Sequence, residues 1–131
     1  MLFRSDDVLI GGDGADSMFG GGGNDGLLGG ADSDLLDGQA GDDRLRGQGA
    51  DREVLIGGLG SDQLDGGEGL DIVAEFGDQN YVLTSAQLVG SLTGTDELIG
   101  IEQGQLTGGD SANTINASGD RKSTRLNSSH T

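Results

Sequence analysis

Large apolar residues return along the first half of this chain at a nine-residue period, each set among small and polar neighbours. They are Leu9, Met18, Leu27, Leu36, Leu45, Leu55, Leu64 and Val73, with one step, from Leu45 to Leu55, a residue too long. The units are GGDGADSMF (11–19), GGGGNDGLL (20–28), GGADSDLLD (29–37), GQAGDDRLR (38–46), GQGADREVLI (47–56), GGLGSDQLD (57–65) and GGEGLDIVA (66–74). Glycine recurs at positions 1, 2 and 4, aspartate at 6 and the apolar residue at 8. A repeat of this kind decides architecture before any single element does.

Position 8 is apolar while 7 and 9 are mixed, as Arg44 and Arg46 beside Leu45 or Val8 and Ile10 beside Leu9. This is the alternation of a short strand over positions 7–9, with position 8 facing one way and its neighbours the other. Glycine at 1, 2 and 4 permits positive φ and close backbone approach, which a tight turn requires. Strand and turn, repeated, wind into a parallel coil in which two units make one revolution. Unit n then stacks on unit n+2, and the position-8 residues of two strand layers meet inside. Eight such strands make about four coils.

The strict period lapses after Ala74. Asp71-Ile-Val-Ala-Glu75 and Tyr81-Val-Leu-Thr84 read as strands around a turn at Gly77-Asp78, and Ser85 to Val89 as a single helical turn capped by Thr84 or Ser85. Further strands are expected over 98–102 and 105–107. Asp96 and Leu98 repeat positions 6 and 8, and Asn113 and Ile115 do so again with asparagine in place of aspartate. The chain thus divides into a regular repeat block (1–74), a degenerate block continuing the coil (75–119) and a tail (120–131). The tail, DRKSTRLNSSHT, resembles one reading frame of a sequencing adapter and is expected to be non-native and disordered, outside the fold. Ser5 to Ile10 fit positions 4–9 of a preceding unit, so the chain reads as a piece of a longer protein.

Composition narrows the chemistry. The 131 residues include 28 glycines in fixed phase, no proline and no cysteine, which excludes collagen-like chains, disulfide frameworks and thiolate metal sites. Four aromatic residues and 32% hydrophobic content leave only a thin core. A net charge of −16 argues against nucleic acid as a partner and makes the compact state repel itself. Cations have to come from outside. No stretch approaches the roughly 18–20 apolar residues of a membrane-spanning helix, and the first seven residues reach carboxylates before a secretory h-region could form.

Position 6 holds Asp7, Asp16, Asp25, Asp34, Asp43, Asp62 and Asp71. Stacking n on n+2 brings Asp7 to Asp25, Asp25 to Asp43 and Asp16 to Asp34, while the Asp43–Asp62 pair spans the slip. Parallel strands lie about 4.8 Å apart, close to the separation of two oxygens across a calcium ion bound at about 2.3–2.6 Å. Turn carbonyls freed by the glycines complete an oxygen shell. With no Cys, and the lone His130 in the tail, the donor set suits a hard ion, calcium before magnesium. A solvated acidic face is the plain alternative; one carboxylate per turn, always beside glycine, argues against it. No Walker lysine follows a glycine run, seven equivalent carboxylates do not make a glycosidase pair, and no Ser–His or Cys–His nucleophile can be assembled.

The GGxGxDxUx phase from Ser5 to Ala74 resembles the repeats-in-toxin (RTX) family of hemolysin-type calcium-binding nonapeptide repeats. The resemblance implies an all-β, right-handed parallel β-roll that folds around several calcium ions. It implies ions between turns n and n+2, held by the position-6 aspartates and the turn backbone at Gly12, Gly14, Gly21, Gly23, Gly30, Gly41, Gly58 and Gly60. It further implies a secreted or cell-surface protein exported by a type I apparatus, whose signal would lie in a C-terminal region outside this chain.

Departures from the pattern mark weaker sites. In the long fifth unit, Glu53 falls at position 6 when counted back from Leu55, which places a bulge near Ala50 and leaves Arg52 beside it. Asp32 replaces glycine at position 4, either straining the site of Asp16 and Asp34 or adding a ligand to it. Asp96 is a further candidate. The expected function is therefore a non-catalytic, calcium-folded module; the parent protein could be an extracellular hydrolase carrying it as an appendage, or a surface adhesin using it as a stiff spacer. No oligomer is implied.

Overall fold

The structure, a computed structural model, describes residues 4–49, 51–77, 81–84, 86–108, 115–119 and 123–127. The repeats form eight strands: β1 (Val8–Gly12), β2 (Ser17–Gly22), β3 (Gly26–Gly30), β4 (Leu35–Ala40), β5 (Arg44–Arg46), β6 (Val54–Ile56), β7 (Gln63–Asp65) and β8 (Ile72–Gly77). Odd strands stack in one sheet and even strands in another, all parallel. Position 8 sets the register: Leu9, Leu27, Leu45 and Leu64 face one another in sequence along the first sheet, and Met18, Leu36, Leu55 and Val73 along the second. These residues form one buried row per sheet and meet in a single core, with Leu9 partly covered at its end. Phe19, Val8 and Ile10, at positions 7 and 9, face outward. The chain is the all-β parallel roll of about four coils that its periodicity predicts.

Turns stack as closely as strands. Positions 2 and 4 take positive φ, and where glycine is missing the substitute follows: Asp32, Gln39 and Gln48 stand at φ 73, 74 and 76°. A β-carbon on Gly41 would run into the backbone carbonyl of Gly23, one coil earlier. At Gly14 there is open space and only the positive φ opposes a side chain; at Gly26 neither objection applies. Gly14→Ala is therefore expected to destabilise the calcium-loaded roll by about 1–2 kcal/mol, Gly41→Ala by distinctly more, and Gly26→Ala to be neutral or stabilising by up to about 1 kcal/mol. Thermal melts of the three variants check the ranking, and equal losses at Gly41 and Gly26 would contradict it.

Beyond β8 the chain makes an excursion and then rejoins the coil. It comprises β9 (Tyr81–Thr84), β10 (Gln87–Gly90), β11 (Gly94–Ile99), β12 (Gln103–Gly108), β13 (Ile115–Gly119) and β14 (Ser123–Asn127). β9, β10 and β11 form an antiparallel meander, after which β11 pairs in parallel with β7 and sets Leu98 on Leu64. β12 likewise returns to β8. Leu88, Leu98, Ile101 and Leu106 extend the same core.

Four expectations are revised here. β8 and β9 lie in different sheets and do not pair. Gln87–Gly90 is a strand, not a helical turn, because Leu88 enters the core between the exposed Gln87 and the half-buried Val89. The Thr84 hydroxyl caps the β9–β10 turn instead, accepting from the Gln87 N–H at 3.0 Å and donating to the Gln87 carbonyl at 3.3 Å. The strands expected over 98–102 and 105–107 run over Gly94–Ile99 and Gln103–Gly108, since Gly100, at φ 60°, bends the chain and sends Ile101 inside. Finally, Ser123–Asn127 of the tail pairs in parallel with β12, whose open edge offers backbone groups regardless of sequence. Asn113 lies outside the described residues.

Candidate metal centre

Two columns of acids climb the roll, one at each turn. On one side stand Asp7, Asp25, Asp43, Asp62 and Asp96; on the other Asp16, Asp34, Glu53, Asp71 and Glu102. Within a column most carboxylates, Glu53 and the first members Asp7 and Asp16 apart, use one oxygen to tie two coils together. Asp25 Oδ1 accepts the Asp7 N–H at 2.8 Å, Asp43 Oδ1 that of Asp25 at 2.7 Å and Asp62 Oδ1 that of Asp43 at 2.7 Å. Asp96 Oδ1 then accepts from Asp62 at 3.0 Å. Across the roll, Asp34 Oδ1 accepts from Asp16 at 2.9 Å, Asp71 Oδ1 from Glu53 at 3.0 Å and Glu102 Oε2 from Asp71 at 2.9 Å.

The second oxygen is the telling one. Oδ2 of Asp16, Asp25, Asp34, Asp43, Asp62 and Asp71 is buried without a hydrogen-bond partner, as are both carboxylate oxygens of Glu53. A row of buried anionic oxygens is costly unless something cationic meets it. These oxygens point into the turns at the glycine of position 1: a β-carbon on Gly20 would stand 2.6 Å from Asp25 Oδ2 and 2.7 Å from the Gly38 carbonyl oxygen. At Gly49 the same construction falls 2.8 Å from Glu53 Oε1, 3.2 Å from the Asp32 carbonyl oxygen and 3.3 Å from that of Gly30. A carboxylate oxygen and a turn carbonyl thus crowd the same spot against each of these glycines, where no β-carbon would fit. The donors are all oxygen, the set that suits a hard cation.

Burial dominates the electrostatics. It pushes Asp43 from its ordinary 3.8 up to about 6, against the lowering effect of its bond from the Asp25 backbone, with the charges of Asp25, Asp42 and Asp37 adding to the rise. Burial also raises Glu53, Asp62 and Asp96, each helped by acidic neighbours. Arg44 and Arg46 face outward beside Leu45, and Arg52 donates to Gln103 Oε1 at 3.0 Å. Among the described residues no three acidic side chains surround a common centre, so backbone carbonyls must supply part of any ion's shell.

A scan against protein-family models matches the one described as RTX calcium-binding nonapeptide repeat (4 copies), over residues 4–27, 27–52 and 48–74, more than half of the chain. The chain belongs to the RTX repeat family. Calcium is the ion this family's repeats bind, and the partnerless buried carboxylate oxygens, with turn carbonyls close by, fit it. No curated protein and no solved structure matches the chain.

Within this RTX roll the named candidates fall as follows. Asp7, Asp16, Asp25, Asp34, Asp43, Asp62 and Asp71 share the two columns, and Asp96 joins the first. Glu53 occupies its column in the register counted back from Leu55, while Arg52 is exposed. Its longer arm breaks the ladder, since neither of its oxygens accepts a hydrogen bond. Gly12, Gly21 and Gly30 lie at the ends of β1, β2 and β3 and Gly14, Gly23, Gly41, Gly58 and Gly60 beyond the strands, all at positive φ. Their carbonyls are not all free, however: that of Gly12 accepts the Ala31 N–H at 2.8 Å. A carbonyl keeps a second lone pair for an ion. Asp32 sits in the left-handed conformation and accepts the Gly14 N–H at 2.9 Å.

Three features escape the repeat pattern. Glu102 takes position 6 although only one residue separates it from Gly100, a shortened turn that hides its phase. Glu75 stands where glycine begins every other repeat. At position 5, Asp6 accepts the Asn24 N–H at 2.8 Å, Asn24 that of Asp42 at 2.8 Å, and Asp42 that of Ser61 at 2.9 Å. This outer ladder reaches up the roll while the position-6 ladder reaches down. Across the roll Ser33 accepts the Arg52 N–H at 3.2 Å in the same way, so the signal is a short polar residue at position 5, missing at Ala15.

Proposed function

We propose that this chain is a calcium-driven folding module of a secreted or surface bacterial protein, non-catalytic in itself and exported by a type I apparatus. The carrying observation is the row of buried, partnerless carboxylate oxygens stacked coil upon coil. A fold that brings these together without a counter-ion opposes itself, so the binding energy of the ion becomes folding energy. Position-6 carboxylates and turn carbonyls would hold calcium, which supplies charge neutralisation and a link between coils. At the low calcium of a cytosol the chain would stay expanded and exportable, and outside the cell it would close.

A second reading, a stiff spacer between other blocks of a surface protein, is favoured by the way the coil resumes after β10, with Leu98, Ile101 and Leu106 continuing one core. Both readings rest on calcium-driven closure, and an upstream hydrolase would leave this segment's role unchanged.

The test is a calcium titration from chelator followed by circular dichroism, with magnesium as control. A cooperative gain of β-signal with calcium alone is expected. A chain already folded in chelator and indifferent to calcium would make it a metal-independent solenoid and would overturn the proposal.

A further inference from the structure

The strand that ends the regular repeats brings an acid into the roll. Val73 points inward and is fully covered, so two residues on Glu75 also points inward, and it is 2% exposed. Val73 stacks on Leu55, and Glu75 reaches the backbone that follows β6. Its Oε1 accepts the Gly58 N–H at 3.0 Å, and the Gly57 N–H also faces the carboxylate.

Two more acids approach the same glycine. A β-carbon on Gly57 would stand 2.5 Å from Asp62 Oδ2 and 3.1 Å from Asp96 Oδ2. Asp62 is 3% exposed and its Oδ2 has no partner; Asp96 is 2% exposed. At Gly11 and Gly20 the corresponding place is approached by the carbonyl of a glycine one coil on, Gly29 and Gly38. Here the coil above comes from β11, which is separated from β7 by the β9–β10 excursion, and both Glu75 and Asp96 lie beyond the matched repeats.

We propose that Asp62, Asp96 and Glu75 form a cation site of their own at the junction of the repeat block and the returning coil, with the two aspartates as ligands and Glu75 as a third buried carboxylate behind the Gly57–Gly58 peptide. The inference rests on calcium binding by the roll. The junction carries three negative charges where a repeat pair carries two, and all three are withdrawn from water. That arrangement favours a hard divalent ion over a monovalent one and over an unfilled site, because attraction between unlike charges grows as the dielectric falls. The field is mutual: Asp62 raises the pKa of Glu75, and Glu75 that of Asp96, beyond what burial does. Neutralising the junction would fasten β11 to β7 and so continue the coil across the excursion.

Calcium isotherms of the full chain, measured by calorimetry with Glu75→Gln, Asp96→Asn and, as control, Asp25→Asn, test this. The amide oxygen of Glu75→Gln can still accept the Gly58 N–H, so a merely structural Glu75 would leave the isotherm unmoved. We expect Glu75→Gln to weaken one class of sites by at least about tenfold (about 1.4 kcal/mol) with the ion count unchanged. Asp96→Asn should lower the count, and Asp25→Asn should act on a different class. Glu75→Asp, which keeps the charge, should fall between Gln and wild type. Wild-type isotherms in Glu75→Gln or an unaltered count in Asp96→Asn would overturn the junction site and leave calcium binding by the repeats intact. A wild-type chain that takes up no calcium would instead remove both readings.

Discussion

Without calcium, the roll is expected to be most stable in acid and to come apart as pH rises from about 4 to about 7. Burial pushes Asp43 from 3.8 to about 6 and Glu75 from 4.5 to about 7, and raises Glu53, Asp62 and Asp96 as well. An acid whose folded pKa lies above its unfolded value binds more protons in the fold than out of it. Its contribution is therefore fully present below the ordinary pKa and lost as pH climbs through the folded one. Calcium reverses the slope, since it binds the ionised carboxylates and competes with protons for them. Denaturation followed by circular dichroism from about pH 4 to about pH 7.5, in chelator and in calcium, should give curves of opposite slope. Metal-free stability that stayed level or rose over that range would contradict the account. The same opposition gives the protein a simple logic: at neutral pH the empty roll is destabilised by its own carboxylates, and the ion that binds them is also what closes the fold.

The regular half of this architecture is legible because one residue per unit carries it. Position 8 is apolar in every repeat, and a strand has only two faces, so the register of Leu9 on Leu27 or Met18 on Leu36 leaves no alternative that keeps the core dry. The slip at the fifth unit is legible for the same reason. Leu55 has to stack on Leu36, which puts Glu53 in the acid column and Arg52 outside. The second half is harder because its phase is broken twice, once by the excursion through β9 and β10 and once by the shortened turn from Gly100 to Glu102. A nine-residue count cannot cross either break; the stacking of Leu98 on Leu64 restores it only in three dimensions.

The acid columns were legible as columns, but their division of labour was not. Nothing in the spacing says that one oxygen of Asp25 holds the Asp7 N–H while the other is left bare. That split depends on rotamer and turn geometry. The position-5 ladder was hidden by its varied residues: Asp6, Asn24 and Asp42 on one side of the roll, and on the other Ala15 followed by Ser33, which accepts the Arg52 N–H at 3.2 Å. Glu75 reads as an ordinary strand residue until the fold brings its carboxylate, 2% exposed, onto the Gly58 N–H at 3.0 Å.

Replacing Asp43 by asparagine should separate the two jobs of the column and move stability in opposite directions with and without calcium. The amide oxygen can still accept the Asp25 N–H, which Asp43 Oδ1 now does at 2.7 Å. What is lost is the buried, partnerless Oδ2 and the charge it shares. The metal-free roll at neutral pH is therefore relieved of one buried anion beside Asp25 and should gain stability. The loaded roll loses an anionic ligand in the middle of the Asp25–Asp43–Asp62 run, so the calcium midpoint should rise by about tenfold or more, about 1.4 kcal/mol per decade. Asp43→Ala removes the acceptor as well and should lose stability in both states, because the Asp25 N–H is left unsatisfied. Chelator and calcium melts of the pair, read together with calcium titrations, give the outcome. If asparagine and alanine behaved alike, or if asparagine weakened the chain in chelator, the bare oxygen would not be the source of the metal-free instability, and the strain would have to lie in the turns themselves.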